Sequence, residues 1–216
     1  MIVIDSSGSI GEDNFELVRA FTKNVVDLAD AAHVRIGVMQ FSKQVYHEFY
    51  MNDYLTTVDG VEIQDKAAMQ EHLDGMPYRL SGTNTHLAIN AAVEEYFTPS
   101  KGARSGVKRH LLLVTDGESN VPAETLKAAS KAKREADIFL FAVGIRMNTE
   151  AQVEELSAIA SPPALQNVLH VQEFDELDDI FTKIFIHFCR SEFCKMCGLD
   201  GACFLFLANF LLSFKF

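Results

Sequence analysis

The stretch His110-Leu111-Leu112-Leu113-Val114-Thr115-Asp116-Gly117 decides the architecture. It is the most apolar run in the first 188 residues, and no polar position alternates within it. That pattern predicts a central strand, His110–Thr115, with both faces covered, as in a parallel sheet. A strand covered on both faces needs helices above and below it, and the sequence on either side supplies them. C-terminal to it, Ala123–Arg134 reads as a helix, Ile138–Val143 as a strand, Glu150–Ala160 as a helix and Val168–His170 as a short edge strand. Leu177, Ile180, Phe181, Ile184, Phe185 and Phe188 then mark the apolar face of a last helix.

On the N-terminal side, Thr85–Phe97 and the region near Lys66–Leu73 read as helices, joined by the loop Tyr78–Asn84. Val34–Phe41 is a buried-type strand, and Gln44–Phe49 follows a tight Ser42-Lys43 turn, which predicts an antiparallel hairpin. Phe15, Val18, Phe21, Val25 and Leu28 recur at helical spacing, so Glu12–Ala31 is an amphipathic helix. The first strand, Ile2–Ile4, stops at Asp5. This alternation predicts an α/β fold: a doubly wound, mostly parallel sheet with one antiparallel edge strand and helices on both faces. In such folds ligands bind outside the carboxyl ends of the strands, where the strand order reverses.

Three polar segments are expected at that crevice. They are Asp5-Ser6-Ser7-Gly8-Ser9 after the first strand, Ser81-Gly82-Thr83-Asn84-Thr85 before a helix, and Thr115-Asp116-Gly117-Glu118 after the most buried strand. Each joins oxygen-bearing side chains to a glycine that lets the backbone turn sharply. Together they offer hydroxyls and carboxylates with no thiol or imidazole, an inventory suited to Mg²⁺ or Mn²⁺ and poorly suited to zinc or copper. Taken singly, each segment also has a structural reading. Asp-x-Ser-x-Ser often forms a turn through side-chain-to-backbone hydrogen bonds, and Thr-Asp-Gly is a common turn signal. The histidines (33, 47, 72, 86, 110, 170 and 187) are scattered without ligand spacing and read as solvated or core residues.

The three segments, in this order and on these element ends, resemble the metal-ion-dependent adhesion site of von Willebrand factor type A domains and integrin I domains. The flavour is nearest to the A domains of matrilins and collagens. The resemblance runs from about Ile2 to Phe188 and implies a Rossmann-like fold with Mg²⁺ or Mn²⁺ held by five residues. Ser7, Ser9 and Thr83 would contact the ion by hydroxyl, and Asp5 and Asp116 directly or through water. Of the two threonines, Thr83 is taken as the ligand and Thr85 as the cap of the following helix. Gly82, Asn84, Gly117 and Glu118 would form the ligand-binding rim. The resemblance further implies a non-enzymatic adhesion module, outside the cell or at its surface, that binds a Glu or Asp carboxylate of a protein partner. In integrin-like relatives the last helix slides when the site engages its ligand.

Other function classes fare worse. Asp5 ends a strand as a phosphoryl-transfer nucleophile would, but such phosphatases need a second Asp two residues on, where Ser7 stands. Gly8-Ser9-Ile10-Gly11 fails as a nucleophile elbow, and no Gly-rich phosphate loop with a following Lys is present. An intracellular A domain acting as a scaffold in a multiprotein assembly would use the same motif, and only the cysteines favour the secreted class. The net charge is −11; Cys189–Phe216 holds three basic and two acidic residues, so the preceding body carries 16 basic against 28 acidic, a net of −12. Such a surface repels a phosphate backbone, which argues against nucleic acid as a partner.

The sequence divides into a domain over residues 1–188 and a tail over 189–216. All four cysteines, Cys189, Cys194, Cys197 and Cys203, lie in the tail; their spacing suits two disulfides or a soft metal, and the resemblance to extracellular modules favours disulfides. The apolar run Ala202–Phe214 falls short of the ~20 residues of a membrane-spanning helix. No basic leader or cleavage site precedes Ile2. A truncated N-terminus and a read-through tail account for the two ends as well as an authentic chain does.

Overall fold

A computed structural model describes residues 1–29, 33–177 and 180. Its centre is a six-stranded sheet in the order β3-β2-β1-β6-β7-β8. The strands are β1 (Ile2–Asp5), β2 (Val38–Phe41), β3 (Val45–Phe49), β6 (Arg109–Thr115), β7 (Ile138–Ile145) and β8 (Val168–Val171). Every neighbouring pair is parallel except β2 with β3, the expected antiparallel edge. Strand β6 runs one residue beyond the expected start, and Leu111, Leu112, Leu113 and Val114 are at most 2% exposed. Both faces are therefore covered, as its unbroken apolar run requires.

The helices are α1 (Glu12–Leu28), α2 (Lys66–Asp74), α3 (Thr85–Ala91), α4 (Pro122–Arg134), α5 (Glu150–Ile159) and α6 (Ala164–Asn167). Val3, Leu111, Leu113, Leu140 and Ala142 share one core cluster with Ala88 and Ile89 of α3, Ala128 and Ala129 of α4, and Leu156 and Ile159 of α5. Side chains alternate across a strand, so Ile2, Ile4, Leu112 and Val114 point to the other face, and they too are buried. Helix α1 buries Phe15, Val18, Phe21, Thr22 and Val26. Its stripe thus drifts from the expected Val25 and Leu28, which are half-buried. The helix stops at Leu28 rather than Ala31, because Ala29 turns extended at ψ 132°.

Three further differences have local causes. The expected strand Val34–Phe41 begins only at Val38, because the Gln64 side chain takes the backbone groups of Ile36. Ile36 N donates to Gln64 Oε1 (2.6 Å), and Gln64 Nε2 donates to Ile36 O (2.8 Å) and Met51 O (3.3 Å). Helix α3 does not reach Phe97; after Ala91 it widens into a π-helical turn over Ala92–Tyr96, closed by Phe97 N donating to Ala92 O (3.0 Å). A second sheet, β4 (Leu55–Val58) with β5 (Val61–Gln64), was not anticipated. Its Asp59-Gly60 turn has positive φ at both positions, 51° and 79°. That is the signature of a type I′ hairpin, and an Asp-Gly pair between Thr56-Thr57-Val58 and Val61-Glu62-Ile63 is its sequence signal.

Strand β1 is bordered by β2 on one side and β6 on the other, so the chain leaves the sheet in opposite directions from the ends of β1 and β6. This is the predicted switch point, and Asp5 and Thr115 stand at its lip. Phe181–Phe188 of the expected last helix, the four cysteines and the apolar run near the C-terminus lie outside the described residues. No helix among the described residues is long and apolar enough to cross a membrane.

Candidate metal centre

The site grows from Asp5, the last residue of β1. Its Oδ1 accepts the amide of Ser7 (2.8 Å), which folds the chain back over the strand end. Its Oδ2 accepts the hydroxyl of Thr115 (2.6 Å), which ends the neighbouring strand β6. Ser7 Oγ and Ser9 Oγ share a hydrogen bond (3.1 Å), and Ser9 Oγ donates to Asp116 Oδ1 (2.8 Å). A continuous run of oxygens thus links the two carboxylates across the switch point. Burial grades along it: Asp5 and Ser7 are 0% and 1% exposed, Asp116 is half-buried and Ser9 is exposed. The run opens to solvent at the Ser9–Asp116 end.

The threonine segment is stitched to both other loops through its backbone. Gly8 N donates to Ser81 O (2.7 Å), Arg79 N to Ser6 Oγ (2.9 Å), and Tyr78 OH to Ser7 O (2.7 Å). On the far side Asn120 N donates to Thr83 O (2.7 Å), tying this segment to the loop after Asp116. Thr83 is 8% exposed within that bracket. Gly82 lies close against Asn120, whose side chain would have to shift for a Cβ, which would sit 2.7 Å from its Nδ2. Asn84 is half-buried, its Nδ2 donating to Lys43 O (2.8 Å), and Glu118 is exposed. Gly117 lies beside Ser9, with 4.0 Å between a Cβ built there and Ser9 Oγ.

Thr85 does not cap its helix. It is the first residue of α3, Asn84 occupies the cap position, and the Thr85 side chain is buried. It lines a small cleft with Thr115, Gly117, Gln152, Glu155, Leu156 and Ile159. The expectation failed because the helix starts one residue earlier than a threonine cap requires.

Electrostatically the two aspartates are ill at ease. Burial pushes Asp5 up to about 7, and the charge of Asp116 adds to that rise while Thr115 and Ser7 pull against it. Burial also raises Asp116, opposed by the Ser9 hydrogen bond and more weakly by Arg146. The hydrogen-bond partners of both carboxylates are hydroxyls and an amide, rather than an ammonium or guanidinium. Among the described residues no three His, Cys, Asp or Glu side chains gather as metal ligands. The donor set is therefore two carboxylates and neighbouring hydroxyls. A hard divalent cation fits it, because such an ion takes oxygen ligands and supplies the charge that burial has made scarce.

Sequence reasoning missed the residues that brace this set. Thr115 lay inside a quoted segment, and its place beside Asp5 follows once β1 and β6 are neighbours. Ser6, Tyr78 and Asn120 act through one or two hydrogen bonds between loops, for which the sequence carries no periodic signal. Ser119 is bonded to Glu155, a carboxylate of α5 that is 8% exposed, through its amide (3.1 Å) and its hydroxyl.

The family profile described as von Willebrand factor type A domain matches residues 1–183. The collagen alpha-5(VI) chain of Homo sapiens is 35% identical over 207 residues, covering 95% of this chain and 7% of that protein. Matrilin-1 of Bos taurus is 30% identical over 194 residues, covering 89% of this chain and 33% of that protein. The chain thus spans a small part of the collagen and about a third of the matrilin. Among solved structures, proximal thread matrix protein 1 from the mussel byssus superposes with a TM-score of 0.75 at 26% identity, covering 87% of this chain and 46% of that one. Another structure of the same mussel protein has a zinc-occupied MIDAS motif.

Proposed function

The chain belongs to the von Willebrand factor type A family, and from that premise we propose that it is a metal-dependent protein-binding module acting in the extracellular matrix or at the cell surface. Asp5, Ser7, Ser9, Thr83 and Asp116 are the residues that would hold Mg²⁺ or Mn²⁺. The observation that carries this reading is the oxygen run from Asp5 through Ser7 and Ser9 to Asp116, whose carboxylates have no cationic hydrogen-bond partner among the described residues. A cation bound there supplies an open coordination position to which a Glu or Asp of a protein partner adds its carboxylate. Asp5 and Thr115 fix the floor of the site, while Ser9 and Asp116 face solvent, where a partner arrives. Gly82, Asn84, Gly117 and Glu118 form the rim that such a partner meets. The extracellular placement is supported by the collagen and matrilin relatives. The site is read as binding rather than catalytic because Ser7 stands where an aspartyl phosphoryl-transfer site needs a second Asp.

The test pairs metal with mutation. Millimolar Mg²⁺ or Mn²⁺ raises the thermal midpoint of the wild type by mass action, and Asp116→Ala removes most of that rise. Zn²⁺ belongs in the same series, given the zinc-occupied motif of the mussel protein. A wild-type midpoint unmoved by metal and by chelator defeats the reading. Partner binding is lost in EDTA, restored by Mg²⁺, and reduced when the partner's acidic residue becomes its amide. For the chain's layout we propose residues 1–188 as the domain and 189–216 as a separate tail, a division supported by the family match ending at residue 183. A chain stopped at residue 188 is expected to unfold as cooperatively as the full one in urea.

A further inference from the structure

We infer that Arg79, clamped by Glu48, is the positioning residue that sets Thr83 beside the two serines; this rests on the metal-binding reading above. The segment that carries Thr83 has no regular structure of its own between α2 and α3. Its backbone is also strained: Leu80, 66% exposed, sits at φ 45° in the left-handed region. A non-glycine residue is disfavoured there, and an exposed side chain offsets little of that through packing. The conformation is therefore imposed by what grips the chain on either side. After Leu80 the grip is Ser81 O on Gly8 N; before it, Tyr78 OH holds the serine loop and Arg79 joins that loop to the sheet edge.

Arg79 is held at both ends. Its amide donates to Ser6 Oγ (2.9 Å), inside the first metal-binding segment. Its guanidinium lies 4.4 Å from the centroid of the Tyr46 ring and 3.6 Å from Glu48 Oε1, both on the edge strand β3. Glu48 is a rigid anchor. Its side chain is 5% exposed, Oε1 accepts Gln40 Nε2 (2.6 Å) from β2, and Oε2 meets His72 Nε2 (3.0 Å) from α2. A planar guanidinium stacks on the ring and pairs with the carboxylate at once, which an ammonium does less well. The Thr83 segment is thus referenced to strand β3 by the Arg79 side chain and to the β2–β3 turn by Asn84, while the Arg79 amide, Tyr78 and Ser81 tie it to the serine loop.

The test is a double-mutant cycle read by calorimetric titration of Mg²⁺ and Mn²⁺ into the full chain. The variants are wild type, Arg79→Met, Thr83→Ala and the double. Supporting residues around metal ligands typically contribute about 10–100-fold to affinity, so Arg79→Met weakens binding about tenfold and Thr83→Ala by a comparable factor. The double variant binds no more weakly than Thr83→Ala alone, since Arg79 acts through Thr83. A merely structural arginine gives losses that multiply, and that result overturns the inference, as does Arg79→Met binding metal as tightly as wild type. If Arg79→Met does not fold, Glu48→Gln, which keeps the anchor's shape and removes its charge, replaces it in the cycle with the same two readings. A wild type that binds no metal defeats the metal-binding reading and this inference together, whereas an unaffected or additive Arg79 variant in a metal-binding wild type sinks the inference alone.

Discussion

Two buried carboxylates of the same sheet, Glu48 on β3 and Asp5 on β1, meet opposite fates. Glu48, on the edge strand, is answered in full: a guanidinium, an imidazole and an amide converge on its two oxygens. Asp5, at the end of the central β1, is fully buried and receives a hydroxyl and an amide, with another carboxylate nearby. A buried charge is tolerated when paired and costly when not. The first arrangement is a finished piece of framework. The second is a deficit, and it is the deficit that the cation proposed above would fill.

The largest effect that separates the two comes from truncating the anchor. Glu48→Ala leaves Arg79 without its counter-charge and His72 Nε2 without its hydrogen-bond partner, and costs about 2–3 kcal/mol after discounting for the partial exposure of both partners. Urea unfolding should show this loss without Mg²⁺ and a somewhat larger one with it, because the weaker metal binding inferred above removes part of the stabilisation by ligand. A loss that vanishes on adding metal would mean that Glu48 belongs to the metal centre and that the contrast is false. Asp5→Asn should move the other way. Removing a buried charge with no cationic partner raises metal-free stability by about 1 kcal/mol, while abolishing the stabilisation by Mg²⁺. If Asp5→Asn destabilises the metal-free domain as Glu48→Ala does, the aspartate is framework as well.

The pH dependence sharpens the same point. Asp5 is raised from 3.8 to about 7 in the folded chain, so the folded state binds its proton more tightly than the unfolded one. Its contribution to metal-free stability is complete below 3.8, drains away as the pH rises to about 7, and is level above that. Chelated wild type therefore loses urea resistance between about pH 5 and pH 7 relative to Asp5→Asn, and the two slopes converge above that window. Parallel slopes throughout would contradict a protonated Asp5. The smallest effect concerns Glu155, whose partners are the Ser119 hydroxyl and amide. Ser119→Ala removes one of two hydrogen bonds and costs about 1 kcal/mol, read in the same urea titration; a loss matching that of Glu48→Ala would place Glu155 among the fully braced charges.

The two regions also differed in how much the sequence revealed. The Asp5, Ser7, Ser9 and Asp116 cluster was legible because each segment follows a strand whose apolar pattern is unmistakable, and strand ends are where an α/β sheet gathers its loops. Strand β6 was correct to within a residue for the same reason. The Glu48 network was invisible: His72, Arg79 and Gln40 come from three elements, and their meeting depends on side-chain reach rather than on any period. Thr83 against Thr85 was decided in the sequence by motif order, and the helix start turned on a single residue that propensity does not resolve. The Asp59-Gly60 hairpin carried a usable signal that was passed over, while the early end of strand pairing at Ile36 could not have been read, because a side chain twenty-eight residues away supplies the bonds.

That last substitution has a practical consequence. Gln64 fastens the base of the β4–β5 hairpin to the segment before β2, at the amino end of the parallel strands, whereas Asp5 and Thr115 close the opposite, carboxyl end. The hairpin tip carries the exposed Val58 and Val61, and nothing lies within 4 Å of a Cβ built on Gly60. Extra residues spliced between Asp59 and Gly60 add a closure cost that rises only with the logarithm of their number. The tip is thus a natural graft point, where a fluorescent reporter or an affinity peptide can be carried, and the domain immobilised by it, with the carboxyl-end crevice left facing outward.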